Sequence, residues 1–275
     1  MLGSVVFNGN APNTIGTGVF DNASEGFNIE YYDGFNGWIP NPSSLSSYTL
    51  KARTLFQDFV YQLTINNSAI EITGYVGSGG NLTIPAAIGV KPVRQIGVGA
   101  FIGKTNIAKV TLPNTITEIK ASAFRGASNL TSITFGSGLI YIRADAFTDC
   151  DALTGITIPP TVTTIEAGAF SSCDKLTAIN VDLGNPIYRS TDGVVFSKNQ
   201  TILYHYPSGK ETISYTLPDI VTTVSDRAFE GNAYLAQLIF PDKVETIKYR
   251  AYYNTLALAD VRFGTKVNSI GKEAF

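Results

Sequence analysis

The chain of 275 residues is 44% hydrophobic, only 15% charged and has a formal charge of −2, which allows a sizeable core but leaves no basic excess for nucleic-acid phosphates. No apolar run approaches the roughly 18 to 20 residues that cross a bilayer as a helix, and Met1-Leu2-Gly3-Ser4 opens without a basic segment, so neither membrane insertion nor a signal peptide is read from it. That leaves an intracellular protein or a trimmed piece of a longer exported one, and the abundance of Gly, Thr, Ser, Asn and Tyr points to β structure with many turns.

From the start of the chain, Leu2, Val5 and Phe7 have the spacing of a strand, and Ile15 to Phe20 follows the pattern I-x-x-x-V-F. Phe27 to Tyr32 reads as another strand, and Gly34 to Ser47 as a turn-rich loop. Residues 1–58 are therefore read as a partial repeat with a linking segment, and 59–275 as a repeat array. Within the array the motif I-x-x-x-A-F occurs at Ile96 to Phe101, Ile119 to Phe124, Ile142 to Phe147 and Ile165 to Phe170, and again, with Val or Tyr variants, ending at Phe229, Tyr252 and Phe275. Successive aromatic positions differ by 23, except for one step of 59 from Phe170 to Phe229. A fixed period of this length signals a solenoid, because one unit cannot bury its own apolar face and must stack on its neighbours.

Each unit begins with an apolar residue at Ile107, Leu130, Leu153, Leu176, Leu235 or Leu258, followed three and five residues later by further apolar ones. In Ile133-Thr134-Phe135 the alternation puts one face of a strand in the core and the other in water. Pro113, Pro159, Pro218 and Pro241, or Gly136 and Gly264, stop that strand. A second short strand follows, as in Ile116 to Ile119, and the A-F pair turns the chain back. Equivalent residues should lie about 4.8 Å apart between rungs, with each buried core side chain contributing about 1.5 to 3 kcal/mol.

These residues resemble the BspA-like leucine-rich repeats of bacterial surface antigens, whose units read L-T-x-I-x-I-P-x-x-V-T-x-I-x-x-x-A-F-x-x-C. Leu153 to Cys173 (LTGITIPPTVTTIEAGAFSSC) nearly reproduces that unit, and the likeness spans Leu82 to Phe275 with Phe59 to Gly80 as a typical approach. The opening block resembles the segment that closes such arrays. The resemblance implies a β-rich leucine-rich-repeat solenoid of short parallel strands and helical turns, an extracellular or cell-surface location, and work in adhesion and recognition.

The step of 59 equals one period of 23 plus 36. Asp182 to Thr216 is therefore read as an insertion, with Val194-Val195-Phe196 and Thr201 to Tyr206 as the strands of a β-hairpin projecting from the solenoid's side. The sole histidine, His205, has no nucleophile or carboxylate motif to make it catalytic, and no enzyme activity is expected. Cys150 and Cys173 share a station on adjacent rungs, so both a reduced pair and a disulfide remain open. The scattered carboxylates form no calcium loop, and no cofactor or metal is expected.

What remains is surface. The outward column Thr111, Thr134, Thr157, Asn180 and Arg262 is the candidate binding face for a protein or glycan, while Thr117, Ile140, Thr163 and Thr222 offer a second face. The candidate assembly ends are Leu2, Val5 and Phe7 at the start and Val261, Phe263, Val267, Ile270 and Phe275 at the finish. A core aromatic as last residue fits either a chain trimmed from a longer array or self-association, head to tail, into filaments.

Overall fold

The protein, described by a computed structural model, is a β-solenoid in which each rung supplies a leading strand, a second strand and a closing turn. The structure describes Ser4–Phe7, Asn28–Asp33 and residues 49–275, with side chains from Phe56 onward. Leu2, the motif at Ile15 to Phe20 and the loop at Gly34 to Ser47 lie outside the described residues. No helix among them is long and apolar enough to cross a membrane.

Ser4–Phe7, Asn28–Asp33 and Thr49–Phe56 pair in parallel, and Phe59–Leu63 and Ile70–Tyr75 continue the sheet antiparallel. Ile70–Tyr75 then pairs in parallel with Lys91–Ile96, where the second strands begin. The opening strand Ser4–Phe7 thus belongs to the sheet of second strands, although Leu2, Val5 and Phe7 have the three-and-five spacing of the leading strands. From there the rungs register at one period, with Ile119 beside Ile142 and Ile142 beside Ile165. In the leading column Val110 pairs with Ile133, and Ile156 with Ile179. All of these are buried, while Thr111, Thr134 and Thr157 between the core positions are exposed, so the period of two decides the faces.

Gly136 and Gly264 have a purpose beyond ending a strand. A Cβ at either position would collide with the carbonyl of Pro113 or Pro241 on the rung below, so glycine permits the close approach of two backbones.

The expected helical turns form as single turns, with none propagating into a helix. Each opens on a left-handed residue (Gly99, Ser122, Asp145, Gly168, Arg227, Arg250) and has another four residues later (Gly103, Gly126, Asp149, Ser172, Gly231, Asn254), at φ between 51° and 77°. A right-handed helix cannot run through two such residues. Between them the A-F aromatics form a spine: Phe101, Phe124, Phe147 and Phe170 stack at centroid separations of 4.8, 5.2 and 5.6 Å. Tyr206, Phe229, Tyr252 and Phe275 do so at 4.6, 4.5 and 5.1 Å.

The inserted hairpin forms, as Val194–Ser197 against Ile202–His205, with Tyr188–Thr191 antiparallel on its other edge, but it does not project from the side. Val195 packs into the core of the preceding rungs, while Val194 and Phe196 pack into the core of the following ones. The next strand, Ile202–His205, pairs with Val194–Ser197 on one side and in parallel with Thr223–Val224 on the other, taking a second-strand place. Ser214–Thr216 pairs with Gln237–Ile239 and takes a leading place. Asp182 to Thr216 is thus an enlarged rung of the stack, because strands carrying this many buried apolar side chains gain more inside than outside.

Tyr188 joins the two halves. Its buried hydroxyl accepts from the Ile165 amide at 2.9 Å and lies 3.4 Å from the Thr163 carbonyl. A side chain therefore stands in for the next backbone strand where the regular ladder stops.

Candidate binding surface

The outward residues of the leading strands fall into three groups. Thr83, Thr111 and Thr134 stand side by side on one sheet, Thr157 and Asn180 on a second, and Thr216, Ile239 and Arg262 on a third. Four of the five expected residues thus meet in adjacent pairs, whereas Arg262 lies beyond the enlarged rung beside Ile239. Thr83 and Thr216 were missed from the sequence, since neither sits in a unit with the full motif. Pairing register alone reveals them.

The threonines of this column differ from four others in the array. Thr131 and Thr177 donate their hydroxyls to Ala108 O at 2.9 Å and Thr154 O at 3.3 Å one rung below. Thr117 and Thr222, on the alternative second face, do the same to Arg94 O and Thr201 O, both at 3.2 Å. Thr111, Thr134, Thr157 and Asn180 are exposed, and their side chains bond to nothing among the described residues. Their donors and acceptors are left to water or a ligand. Arg262 is instead held by Asp260 at 3.2 Å.

The second-strand sheet carries an ionic ladder that the sequence reading did not find. Lys120 meets Glu71 at 2.9 Å, and Arg143 bridges Glu118 at 2.6 Å and Glu166 at 2.9 Å while lying 4.6 Å from the centre of the Tyr141 ring. The spacing of charged residues by about one period is the signal that could have found it. Hydrogen bonds to Glu166 and Glu118 hold the Arg143 guanidinium above its ordinary pKa. These charges satisfy one another, and the ladder fastens rungs together.

His205 is buried, edge-on to Phe170 at 5.6 Å, where it ends the first aromatic spine just as Tyr206 starts the second. Burial, and after it the nearby Arg227 charge, lowers its pKa to about 4, so the imidazole is neutral at pH 7 and packs as a ring. Cys150 and Cys173 are both free and buried. Their thiols donate to Phe124 O at 3.2 Å and Phe147 O at 3.1 Å, each on the rung before. Burial pushes the Cys150 thiol up to about 12 and Cys173 well above its ordinary value. Among the described residues no three of His, Cys, Asp or Glu lie close enough to share a metal ion.

Of the candidate assembly residues, Val5 and Phe7 lie in a paired strand, opposite Ile29 and Tyr31. At the other end Phe263, Ile270 and Phe275 are 48%, 52% and 50% exposed. A cleft of about 290 Å³ between Tyr252, Leu258, Val261, Phe263 and Phe275 opens on that surface.

A family model described as a BspA type leucine rich repeat region matches residues 81–202 and 200–275, in six copies over the chain. Among solved structures the chain is similar to a leucine rich repeat protein of T. pallidum, at 27% identity and a TM-score of 0.50, covering 80% of this chain and 86% of that one. It is also similar to a leucine-rich repeat protein of Eubacterium ventriosum, at 24% identity and a TM-score of 0.58, covering 80% and 67%. The pneumococcal vaccine antigen PcpA shares the fold at 20% identity and a TM-score of 0.51, covering 80% and 77%. No curated protein matches the chain.

Proposed function

The chain belongs to the BspA-type leucine-rich repeat family, and on that premise we propose that it is a non-enzymatic recognition or adhesion module of a bacterial cell surface. Its ligand, a protein or a glycan, is met by the outward leading column, Thr111, Thr134, Thr157 and Asn180, with Arg262 further along. One observation carries this reading. The side chains of the first four have no partner within the described chain, whereas Thr117, Thr131, Thr177 and Thr222 at other stations are spent on holding rungs together. Surface placement follows from the family resemblance. The buried, neutral His205 and buried thiols favour a module without catalysis.

The test is capture of matrix proteins and glycans by the immobilised chain, compared with a Thr134→Glu/Thr157→Glu variant of unchanged circular dichroism. Capture lost in the variant supports the column; capture that is absent, or indifferent to both substitutions, refutes it.

Head-to-tail stacking of copies is a second reading, favoured by the apolar cleft at Val261, Phe263 and Phe275. Light scattering and electron microscopy test it: fibres abolished by Phe263→Asp support it, and a monomer at high concentration refutes it.

A further inference from the structure

We infer that a pocket between the leading strand Ala178–Val181 and the hairpin strand Tyr188–Thr191 receives an acidic peptide segment of a protein partner. This rests on the reading of the chain as a binding module, and it adds a second place and the chemistry of what docks there.

The pocket, of about 220 Å³, is lined by Val181, Asp182, Leu183, Arg189, Ser190 and Lys198. Three donors gather there. Arg189 is exposed, and among the described residues nothing bonds its guanidinium. Lys198 donates to Leu183 O at 3.1 Å and Asn185 O at 2.6 Å, which fixes the ammonium in place and leaves its third N–H unused. The Ser190 hydroxyl accepts the Val181 amide at 2.9 Å, so its own O–H remains to donate. The one carboxylate in the wall, Asp182, accepts from the Gly184 amide at 2.8 Å. Two cations against one anion, with donors to spare, call for an oxyanion, and a planar guanidinium pairs best with a carboxylate.

The rim decides between acidic ligands. Leu183, in the wall, is 95% exposed, and Ile187, whose carbonyl accepts the Lys198 amide, is 41% exposed. Apolar side chains on a rim match the apolar neighbours of a Glu or Asp in a peptide, whereas the hydroxyls of an acidic sugar would meet no partner on them. Val181 directly follows Asn180 in the same strand. The pocket therefore adjoins the end of the proposed face.

The experiment uses the full chain labelled with nitrogen-15 and three probes: a Leu-Glu-Leu-Glu-Leu peptide, its Gln analogue and an oligogalacturonate. We expect amide shifts confined to residues 180–198, at least tenfold weaker binding of the Gln peptide, and a similar loss in Arg189→Gln. Among the described residues nothing bonds the Arg189 side chain, so that variant keeps its structure. Equal binding of the Glu and Gln peptides, or binding unchanged in Arg189→Gln, overturns the pocket. Oligogalacturonate binding more tightly than the peptide overturns the peptide assignment. Loss of the Glu peptide in Thr134→Glu/Thr157→Glu but not in Arg189→Gln would move the ligand to the threonine column, so the two proposals fail separately.

Discussion

Removing Asp182 to Thr216 and joining Val181 to Leu217 should destroy cooperative folding. A hairpin projecting into solvent would allow the cut, because stacking on either side is local. The enlarged rung does not allow it. The deletion takes out six buried hydrophobic side chains, Tyr188, Val194, Val195, Phe196, Leu203 and Tyr206. At about 1.5 to 3 kcal/mol each they contribute roughly 10 kcal/mol or more before ordering costs, against a total stability of about 5 to 15 kcal/mol for an ordinary domain. The cut also removes the Tyr188 hydroxyl from the Ile165 amide and the Ile213 carbonyl from the amides of Ala236 and Gln237. A gentler form separates loss of packing from faulty rejoining. Phe196→Ala, at a site 1% exposed, should cost about 3 to 5 kcal/mol. Leu183→Ala, 95% exposed in the same insertion, should stay within about 0.5 kcal/mol. Urea unfolding followed by circular dichroism measures both. A deletion chain that unfolds in one transition at the parent's midpoint, or a Phe196→Ala loss under about 1 kcal/mol, would refute the rung.

Tyr252 is fully buried at the aromatic station and its hydroxyl has no hydrogen-bond partner among the described residues; Tyr252→Phe should therefore raise stability by about 1 kcal/mol or more, read as a higher urea midpoint, and a drop would mean that the hydroxyl is satisfied. The His205 pKa of about 4 lies below its ordinary 6.5, so the unfolded chain binds the proton first and stability falls as pH drops from about 6.5 to about 4, by up to about 3 kcal/mol. Subtracting the pH profile of His205→Phe isolates this term, and identical profiles would contradict the burial of the imidazole. Cys150 and Cys173 should stay unlabelled by a thiol reagent at pH 8 until urea unfolds the chain, when both react; labelling of the folded chain would place a thiol at the surface.

The regular rungs were legible because their determinants repeat: Ile119, Ile142 and Ile165 stand one period apart and pair side by side. The charge ladder was not, since Glu118, Arg143 and Glu166 read singly as solvated residues and acquire meaning only when the rungs bring them within 2.9 Å. The enlarged rung was misread for a geometric reason. In a regular unit the aromatic follows the second-strand Ile or Val by five positions, as Phe229 follows Val224, but here Tyr206 follows Leu203 by three. Leu203 still pairs with Val224 and Tyr206 still stacks on Phe229, so the stations are filled while the motif disappears. The missing two residues belong to the turn, and their loss has a consequence further along. With a shortened turn beneath it, the turn of the following rung drops onto the one before the insertion: the Ser172 amide reaches Glu230 O at 3.4 Å, and Gly231 lies against Ser172. Arg227 then extends past Gly168, where a Cβ would strike its guanidinium, to pair with Asp145 as well as Glu230. An ion pair between residues 82 apart in the chain is thus a product of two residues absent from a turn, which a search for period and motif has no means of registering.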